Sequence, residues 1–136
     1  MNNTLHLVLK HKWYEMIESG IKTEEYREIK PYWVKRLLQW QEDSRYYVIS
    51  GEEIHWFDAK YICNTKHFNH IIYEMGREDS ALRAKSYTHV CFHLGYTSHT
   101  MTFKVQEITI GKGNPEWGAP KDKSVFIVKL GERVEA

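Results

Sequence analysis

The feature that most constrains the fold is a run of charged side chains directly after a short helix. Trp13, Met16 and Ile17 have helical spacing, and Gly20 follows them where a helix C-cap is expected. Residues 21–27 have the sequence Ile-Lys-Thr-Glu-Glu-Tyr-Arg, which is typical of a strand entering a sheet. Because ionised groups are costly to bury unless they are paired, this strand is predicted to line water, a cleft or a ligand.

Alternation along that strand puts Glu25 and Arg27 on one face, with Lys22 at its mouth. Two interpretations stay open. In the first, desolvation lowers the pKa of Lys22, Glu25 exchanges protons, and Arg27 holds a phosphate or a carbonyl. In the second, Glu25 and Arg27 form a structural ion pair that orients the strand. Perturbed ion-pair networks recur at functional sites, which favours ligand binding.

Length and composition limit the class of protein. The 136-residue chain suits one domain whose core needs neither disulfide nor metal. Lys and Arg total 19 against 18 Asp and Glu, so nucleic-acid binding requires a local basic patch. Cys63 and Cys91 lack CxxC spacing, as expected of free thiols in a reducing cytosol. No apolar run approaches about 18 residues and the first residues lack the pattern of a signal peptide, so we expect a cytoplasmic protein with no membrane partner.

The first third of the chain predicts the order strand, helix, strand, helix. The strands are expected at 5–9 and 22–28, and the first helix at 12–19. Pro31 suits the first turn of the second helix, which is predicted to run to about Trp40.

The middle third has a less regular pattern. A short strand is predicted at 46–50, a turn at 51–53, and no periodic element at 55–65. Apolar residues at helical spacing predict a helix at 68–75, and the charged segment 77–85 is expected to form a loop or a short helical piece.

The last third is rich in predicted strands. Residues 87–94 alternate as a strand, and the apolar phase of 101–105 is reversed at 108–110, which predicts a bulge near 106–107. Residues 125–128 are apolar on both faces and therefore predict a central strand. The element order favours an α+β domain around a small, strongly curved or barrel-like sheet.

Taken together, these segments resemble the ASCH domain, a member of the PUA-like superfamily. The Gly-x-Lys-x-x-Glu-x-Arg string of that family is matched by Gly20, Lys22, Glu25 and Arg27. The likeness covers residues 5–40 and 86–131 and returns in Phe92-His93-Leu94-Gly95-Tyr96, Gly111-x-Gly113, Trp117-Gly118 and Val128-Lys129-Leu130-Gly131. Residues 44–85 fit the family poorly and are predicted to be an insertion within a single domain spanning 1–136.

The resemblance implies a PUA-like β-barrel flanked by helices, with a cleft between the first helix and the barrel. It also implies binding of RNA or of a modified nucleoside or nucleotide, without a cofactor. The ligand-binding residues are expected to be Lys10, Lys22, Glu25, Arg27, Tyr96, Glu116 and Trp117.

The alternative function is an amidohydrolase acting on N4-acylated cytidine nucleosides, as in one bacterial branch of the family. Lys22 matches the lysine of that branch, Glu25 stands where the branch has threonine, and Glu116 is the nearest candidate for its later glutamate. Lys22 and Glu25 are then the catalytic residues.

Three further features have competing interpretations. The Gly111–Gly118 segment lacks the spacing of a phosphate-binding loop and is expected to form a tight loop at the cleft rim, where Trp117 covers a base or plugs the barrel end. His89, Cys91 and His93 share a strand face, but about 6–7 Å between successive positions is wide for one Zn²⁺, so no metal is predicted. Aromatic residues make up 14% of the chain, and the aromatic insertion at 44–85 suits either a homodimer surface or a surface for another partner.

Overall fold

The computed structural model of the protein describes residues 3–40, 45–58 and 82–134. The chain forms two compact units. The first unit comprises Met1–Arg27 and Ser86–Ala136, and the second comprises Glu28–Lys85. The second unit therefore begins upstream of position 44, where the sequence predicts the start of an insertion.

A curled five-stranded sheet forms the first unit. Its strands are β1 (Thr4–Leu9), β2 (Glu24–Arg27), β7 (His89–Leu94), β8 (Thr100–Gly111) and β9 (Val125–Val134). Their order in the sheet is β1-β7-β8-β9-β2. Strands β1 and β7 are parallel, and the other neighbours are antiparallel. Helix α1 (His11–Glu18) connects β1 to β2, and a short 3-10 helix (Pro115–Trp117) lies between β8 and β9.

The leucines of β1 form part of the core on one face of the sheet. Leu5, Leu7 and Leu9 of β1 are buried, whereas Val8 between them is 52% exposed. Val90 and Phe92 of β7 are fully buried in the same phase. The alternation predicted for β1 is therefore confirmed, because a period of two places every second side chain on the apolar face. In β7 it holds for Val90 and Phe92, whereas Cys91 between them is also buried and Leu94 is only half-buried.

The predicted bulge and the predicted central strand are both confirmed. The pairing of β8 with β9 shifts register between Phe103 and Val105 and again between Val105 and Glu107. Bulges increase the local twist of a strand, which accounts for the curl of the sheet. Residues 125–128 are buried throughout, so both faces of β9 are covered there, and β9 has a neighbouring strand on each side.

The second unit contains one helix and two small sheets within the part that the structure describes. Helix α2 (Pro31–Leu37) is followed by β3 (Leu38–Trp40), which pairs with β6 (Leu82–Ala84). Strands β4 (Arg45–Ser50) and β5 (Glu53–Asp58) form a hairpin.

Several predicted boundaries in this unit are wrong. Helix α2 ends at Leu37 rather than Trp40, because Leu38 is extended and continues into β3. Strand β5 occupies part of a segment with no predicted period, and β6 occupies part of one predicted to be a loop or short helix. Strand β6 pairs with β3, more than forty positions away, and no local pattern carries that information. Strand β5 instead pairs with the adjacent β4, so the missing apolar period hid a local hairpin. The predicted helix at 68–75, with His67 and His70, lies outside the described residues.

The predicted strand–helix–strand–helix start is confirmed by β1, α1, β2 and α2, and the molecule is an α+β protein with a curled sheet. Over the residues that the structure describes, neither helix has the length and apolar composition needed to cross a lipid bilayer.

Candidate functional site

The turn after α1 directs Lys22 into the sheet unit. Gly20 has a φ of 86°, the left-handed conformation expected of a C-cap glycine, and its N–H donates to the Ile17 carbonyl at 3.1 Å. The backbone N–H of Lys22 then donates to the Met16 carbonyl at 2.9 Å. These bonds fold the chain back against the end of the helix, so Lys22 is only 2% exposed.

Protein groups surround the Lys22 ammonium. Its Nζ lies 2.8 Å from Oε1 of Glu25 and donates to the backbone carbonyl of Trp117 at 2.7 Å. The Trp13 ring centroid lies 4.3 Å away and the Tyr26 centroid 5.6 Å away, both within cation–π range. The lysine is therefore held by a carboxylate, a carbonyl and two aromatic rings.

The Glu25 carboxylate lies between two cations. One oxygen contacts Lys22, and the other accepts a hydrogen bond from Nη1 of Arg27. Glu25 is 3% exposed, so both interactions form out of water, where charge pairs are strong and unpaired charges are costly. Lys22, Glu25 and Arg27 are called the charged cluster below.

Burial dominates the protonation of Lys22. Desolvation lowers the pKa of Lys22 below its ordinary 10.5, and the Arg27 charge lowers it further. The Glu25 carboxylate raises that pKa, but by less than desolvation lowers it. The ammonium is therefore easier to deprotonate than an exposed lysine.

Arg27 connects the two edge strands of the curled sheet. Its Nη1 also donates to the carbonyl of Tyr26 at 2.9 Å, and its Nη2 donates to the Val8 carbonyl in β1 at 3.2 Å. Strands β1 and β2 are at opposite ends of the strand order. A single guanidinium, 17% exposed, thus bridges edges that have no ladder hydrogen bonds between them.

A glycine-containing loop covers the cluster. A Cβ on Gly113 would lie 2.5 Å from the Tyr26 ring, and one on Gly118, whose φ is 101°, would lie 3.0 Å from the Trp13 ring. Only glycine permits so close an approach of the backbone to these rings. The expectation that these glycines allow a tight loop is supported, although the loop closes over the charges.

Tyr26 anchors that loop. Its hydroxyl donates to Oε1 of Glu24 at 2.8 Å and accepts from the backbone N–H of Asn114 at 3.0 Å. Burial raises the pKa of Tyr26 to about 12, so the phenol is neutral. Trp117 packs against the buried cluster to which Tyr26 belongs, which places its carbonyl within reach of Lys22.

A second region gathers exposed residues around the end of β1. The N–H of Gly95 donates to the Leu9 carbonyl at 2.9 Å, which brings the turn containing Tyr96 to the end of that strand. Lys10 follows directly and is exposed, and the Tyr96 side chain is 102% exposed. Val8, Lys10, Arg27 and Tyr96 are called the β1-end surface below.

The predicted site residues divide between these regions. Lys22, Glu25 and Arg27 come together, and Trp117 joins them through its backbone carbonyl. Lys10 and Tyr96 lie on the β1-end surface, and Glu116 is exposed on the covering loop. The Lys22 and Glu25 head groups are enclosed, contrary to the expected solvent-lined cleft, because protein groups that include the Trp13 ring and the Trp117 carbonyl surround them. The Arg27 side chain remains 17% exposed.

A groove of about 700 Å³ runs along α1 and is lined by His11, Glu15 and Ile21 among others, with neither Lys22 nor Glu25 in its wall.

Two contributors to the site were missed from the sequence. Trp13 has the spacing of a core residue, and nothing local indicates that its ring covers Lys22. Asn114 lies in a loop whose contact with Tyr26 spans 88 positions of the chain. Comparisons with protein families, with characterised proteins and with solved structures find no match for the chain.

Proposed function

We propose that the protein is an ASCH-type, PUA-like module that binds a nucleotide or a single-stranded RNA segment at the β1-end surface. The observation that carries this proposal is the arrangement of one fixed guanidinium, one exposed ammonium and one exposed aromatic ring around the end of β1. Single-stranded nucleic acid is bound by cations that contact phosphate and by aromatic rings that stack on bases.

Arg27 supplies the oriented cation. Its guanidinium contacts Glu25, the Tyr26 carbonyl and the Val8 carbonyl, so its plane has little freedom. A guanidinium held in one orientation loses little entropy when it meets a phosphate or a base carbonyl. Glu25 and Lys22 act in this proposal as positioning residues, because their head groups are buried and directed at one another.

Tyr96 supplies the stacking surface. A ring that is 102% exposed buries no area against the described residues, so it contributes no core packing there. Lys10 directly follows Leu9, whose carbonyl accepts from the Gly95 N–H beside Tyr96, and it would offer a positive charge to the phosphate of a stacked nucleotide. Glu116 and Trp117, which the sequence predicts to bind ligand, are assigned instead to the loop that covers the charged cluster.

Fluorescence anisotropy with labelled oligouridylate and oligocytidylate tests this function. We expect Tyr96→Ala to weaken binding by about 1–3 kcal/mol, the value of one stacked base. Lys10→Ala should weaken binding of both oligonucleotides similarly and reduce the salt dependence by about one phosphate contact. Lys121→Ala, which removes another exposed lysine of the same unit, is the matched control. Unchanged affinity in both surface variants would exclude the β1-end surface.

A second candidate function rests on the 2.8 Å contact between Lys22 and Glu25. A lysine with a lowered pKa beside a carboxylate can exchange protons during hydrolysis of an N4-acylated cytidine. Water would add to the acyl carbonyl, and the products would be cytidine and a carboxylic acid. The covering loop must open for this reaction, since Lys22 is 2% exposed.

Incubation with N4-acetylcytidine followed by chromatography tests the hydrolase. Cytidine release by the wild type that is lost in Lys22→Met and kept in Lys129→Met would support it. No cytidine at any pH from about 6 to 10, a range that spans protonation of His to that of Lys, would exclude it.

A further inference from the structure

Besides the charged cluster and the β1-end surface, the sheet unit contains a group of histidine and cysteine side chains. This group lies on the face of the sheet opposite the leucine core of β1. Parallel pairing places His6 of β1 directly beside Cys91 of β7, and Val8 beside His93. Within residues 3–40, 45–58 and 82–134, His6, Cys91 and His93 form the one group of three or more potential metal ligands, with donor atoms all within 4.8 Å of one another.

The neighbouring strand removes the objection to a metal on this face. Along β7 alone, Cys91 and His93 are separated by about 6–7 Å of backbone, and a third ligand on the same strand would be farther still. His6 enters from β1, and its Nδ1 lies 2.9 Å from Nε2 of His93, with the ring centroids 5.2 Å apart. Three donors therefore converge from two strands.

The distances suit a small tetrahedral cation after minor side-chain rotation. Ligands at about 2.0–2.1 Å for nitrogen and 2.3 Å for sulfur lie roughly 3.3–3.7 Å apart around Zn²⁺. The two imidazole nitrogens need to separate by a few tenths of an ångström, and the sulfur needs to approach by up to about 1 Å. Rotation about the histidine side-chain bonds covers such movements.

The three potential ligands differ in solvent exposure, which increases from Cys91 through His93 to His6. Cys91 is 9% exposed and lies at the base, His93 is half-buried, and His6 is exposed at the mouth. A metal held this way has protein ligands beneath it and solvent above it. Three protein ligands with one open position are typical of zinc sites that bind water or substrate, whereas structural sites have four.

Residues near the group have other partners or lie elsewhere. His89 shares the face of Cys91, but its Nδ1 hydrogen-bonds the Thr88 hydroxyl at 2.8 Å. His99 lies just before β8 and is not among the residues whose donor atoms converge in this group. These two histidines therefore serve as controls.

We propose that His6, Cys91 and His93 bind one Zn²⁺ ion, with the fourth position taken by water or an exogenous ligand. Imidazole and thiolate are the ligands that zinc prefers, and the thiol loses its proton on binding. The zinc proposal does not rest on nucleotide binding, because none of its three ligands belongs to the β1-end surface, although Val8 of that surface pairs with His93. Either proposal can therefore fail while the other stands.

Titration of the full chain with Co²⁺ tests the ligand set directly. We expect a thiolate-to-cobalt charge-transfer band together with the intense visible bands of tetrahedral cobalt. Cys91→Ser should abolish the charge-transfer band, and Cys63→Ser should leave it unchanged. Octahedral cobalt spectra in the wild type, or loss of the band in Cys63→Ser alone, would overturn the proposal.

Competition of Zn²⁺ against a chromophoric chelator measures the contribution of each histidine. His6→Ala and His93→Ala should each lower zinc affinity by at least about tenfold, while His89→Ala and His99→Ala should not. Zinc should raise the melting temperature of the wild type and not that of Cys91→Ser, because a ligand that binds only the folded state stabilises it.

A variant that fails to fold is replaced by a milder one. Circular dichroism first confirms the sheet in each variant, and His6→Gln and His93→Gln substitute where an alanine variant is unfolded. Equal zinc affinity in folded wild type, His6 and His93 variants would show that the two histidines form a hydrogen bond only, and would overturn the proposal.

Discussion

Two lysine–glutamate pairs in the same sheet unit have nearly equal lengths and opposite surroundings. Lys22 and Glu25 approach to 2.8 Å with side chains 2% and 4% exposed. Lys104 and Glu132 approach to 2.7 Å with side chains 56% and 72% exposed. The distance between charges therefore says little about their energetic importance, whereas the surrounding dielectric says much.

The pKa shifts of the two pairs show the same difference. A hydrogen bond from Lys104 lowers the pKa of Glu132, as a neighbouring cation does for any exposed carboxylate. Lys22 also has a carboxylate neighbour, yet its pKa is lowered because desolvation outweighs the attraction. The charged partner is the main cause of the pKa shift of Glu132 in the exposed pair, whereas desolvation is the main cause of the pKa shift of Lys22 in the buried pair.

The largest test of this comparison is Glu25→Gln. The substitution keeps the shape of the side chain and leaves the charges of Lys22 and Arg27 buried without their carboxylate. We expect it to lower the free energy of unfolding by about 3–5 kcal/mol, measured by urea denaturation. Glu132→Gln is the matched control and should leave the urea midpoint unchanged. Similar shifts in both variants would mean that burial does not distinguish the pairs.

A smaller loss is expected for Lys22→Met. Methionine fills most of the lysine volume beneath the Trp13 ring, and Glu25 keeps its contact with Arg27. We expect the free energy of unfolding to fall by about 2 kcal/mol, because one buried carboxylate retains a partner. Lys104→Met, in the exposed pair, should change it far less. A loss for Lys22→Met as large as that for Glu25→Gln would contradict the role assigned to Arg27.

Gly113→Ala tests the loop that covers the charged cluster, without changing any charge in the buried pair. The added Cβ would lie 2.5 Å from the Tyr26 ring, so the loop must shift. We expect a loss of about 1–2 kcal/mol in urea denaturation, typical of overpacking. Gly111→Ala, whose Cβ would lie 3.6 Å from its nearest neighbour, is the control. Equal effects of the two alanines would argue against close packing of the loop.

The smallest expected effect concerns pH. Because the pKa of Lys22 is lowered on folding, the unfolded chain binds more protons than the folded one between the folded-state value and 10.5. The Lys22 contribution to stability should therefore rise with pH across that window. The free energy of unfolding is measured by urea denaturation for wild type and Lys22→Met at about pH 8, 9 and 10, below the ordinary lysine pKa. The wild-type value minus the Lys22→Met value gives the Lys22 contribution at each pH. If the Lys22 contribution to the free energy of unfolding falls as pH rises, the predicted direction of its pKa shift is wrong.

Much of the sheet unit could be predicted from the sequence. Strand β1, helix α1 and the interior strand β9 follow from apolar spacing, and the phase change in β8 located its bulge. These features depend on near neighbours in the chain, so a local pattern suffices. The motif Gly20, Lys22, Glu25 and Arg27 likewise indicated one cluster, because a turn and a short strand bring these residues together.

Strand pairing and closure could not be predicted in the same way. Strands β3 and β6 pair across more than forty positions, and the helix predicted to reach Trp40 gives way to that pairing. The loop that covers Lys22 lies about ninety-five positions from it. Local propensity contains no term for such contacts, and a distant partner overrides it where one exists.

The sequence by itself determined which chemical groups this protein possesses and, for β1, α1 and the charged strand after it, which face or end carries each one, because those follow from bond geometry over a few residues. Only the tertiary structure decided whether a group meets water, a partner or a ring. Glu25 and Glu132 are the same residue type, and folding placed one between two cations and the other in solvent. His6 and Cys91 became neighbours through the register of two strands remote in the chain. Burial and convergence are properties of the folded surface, so they exist only once distant segments pack together.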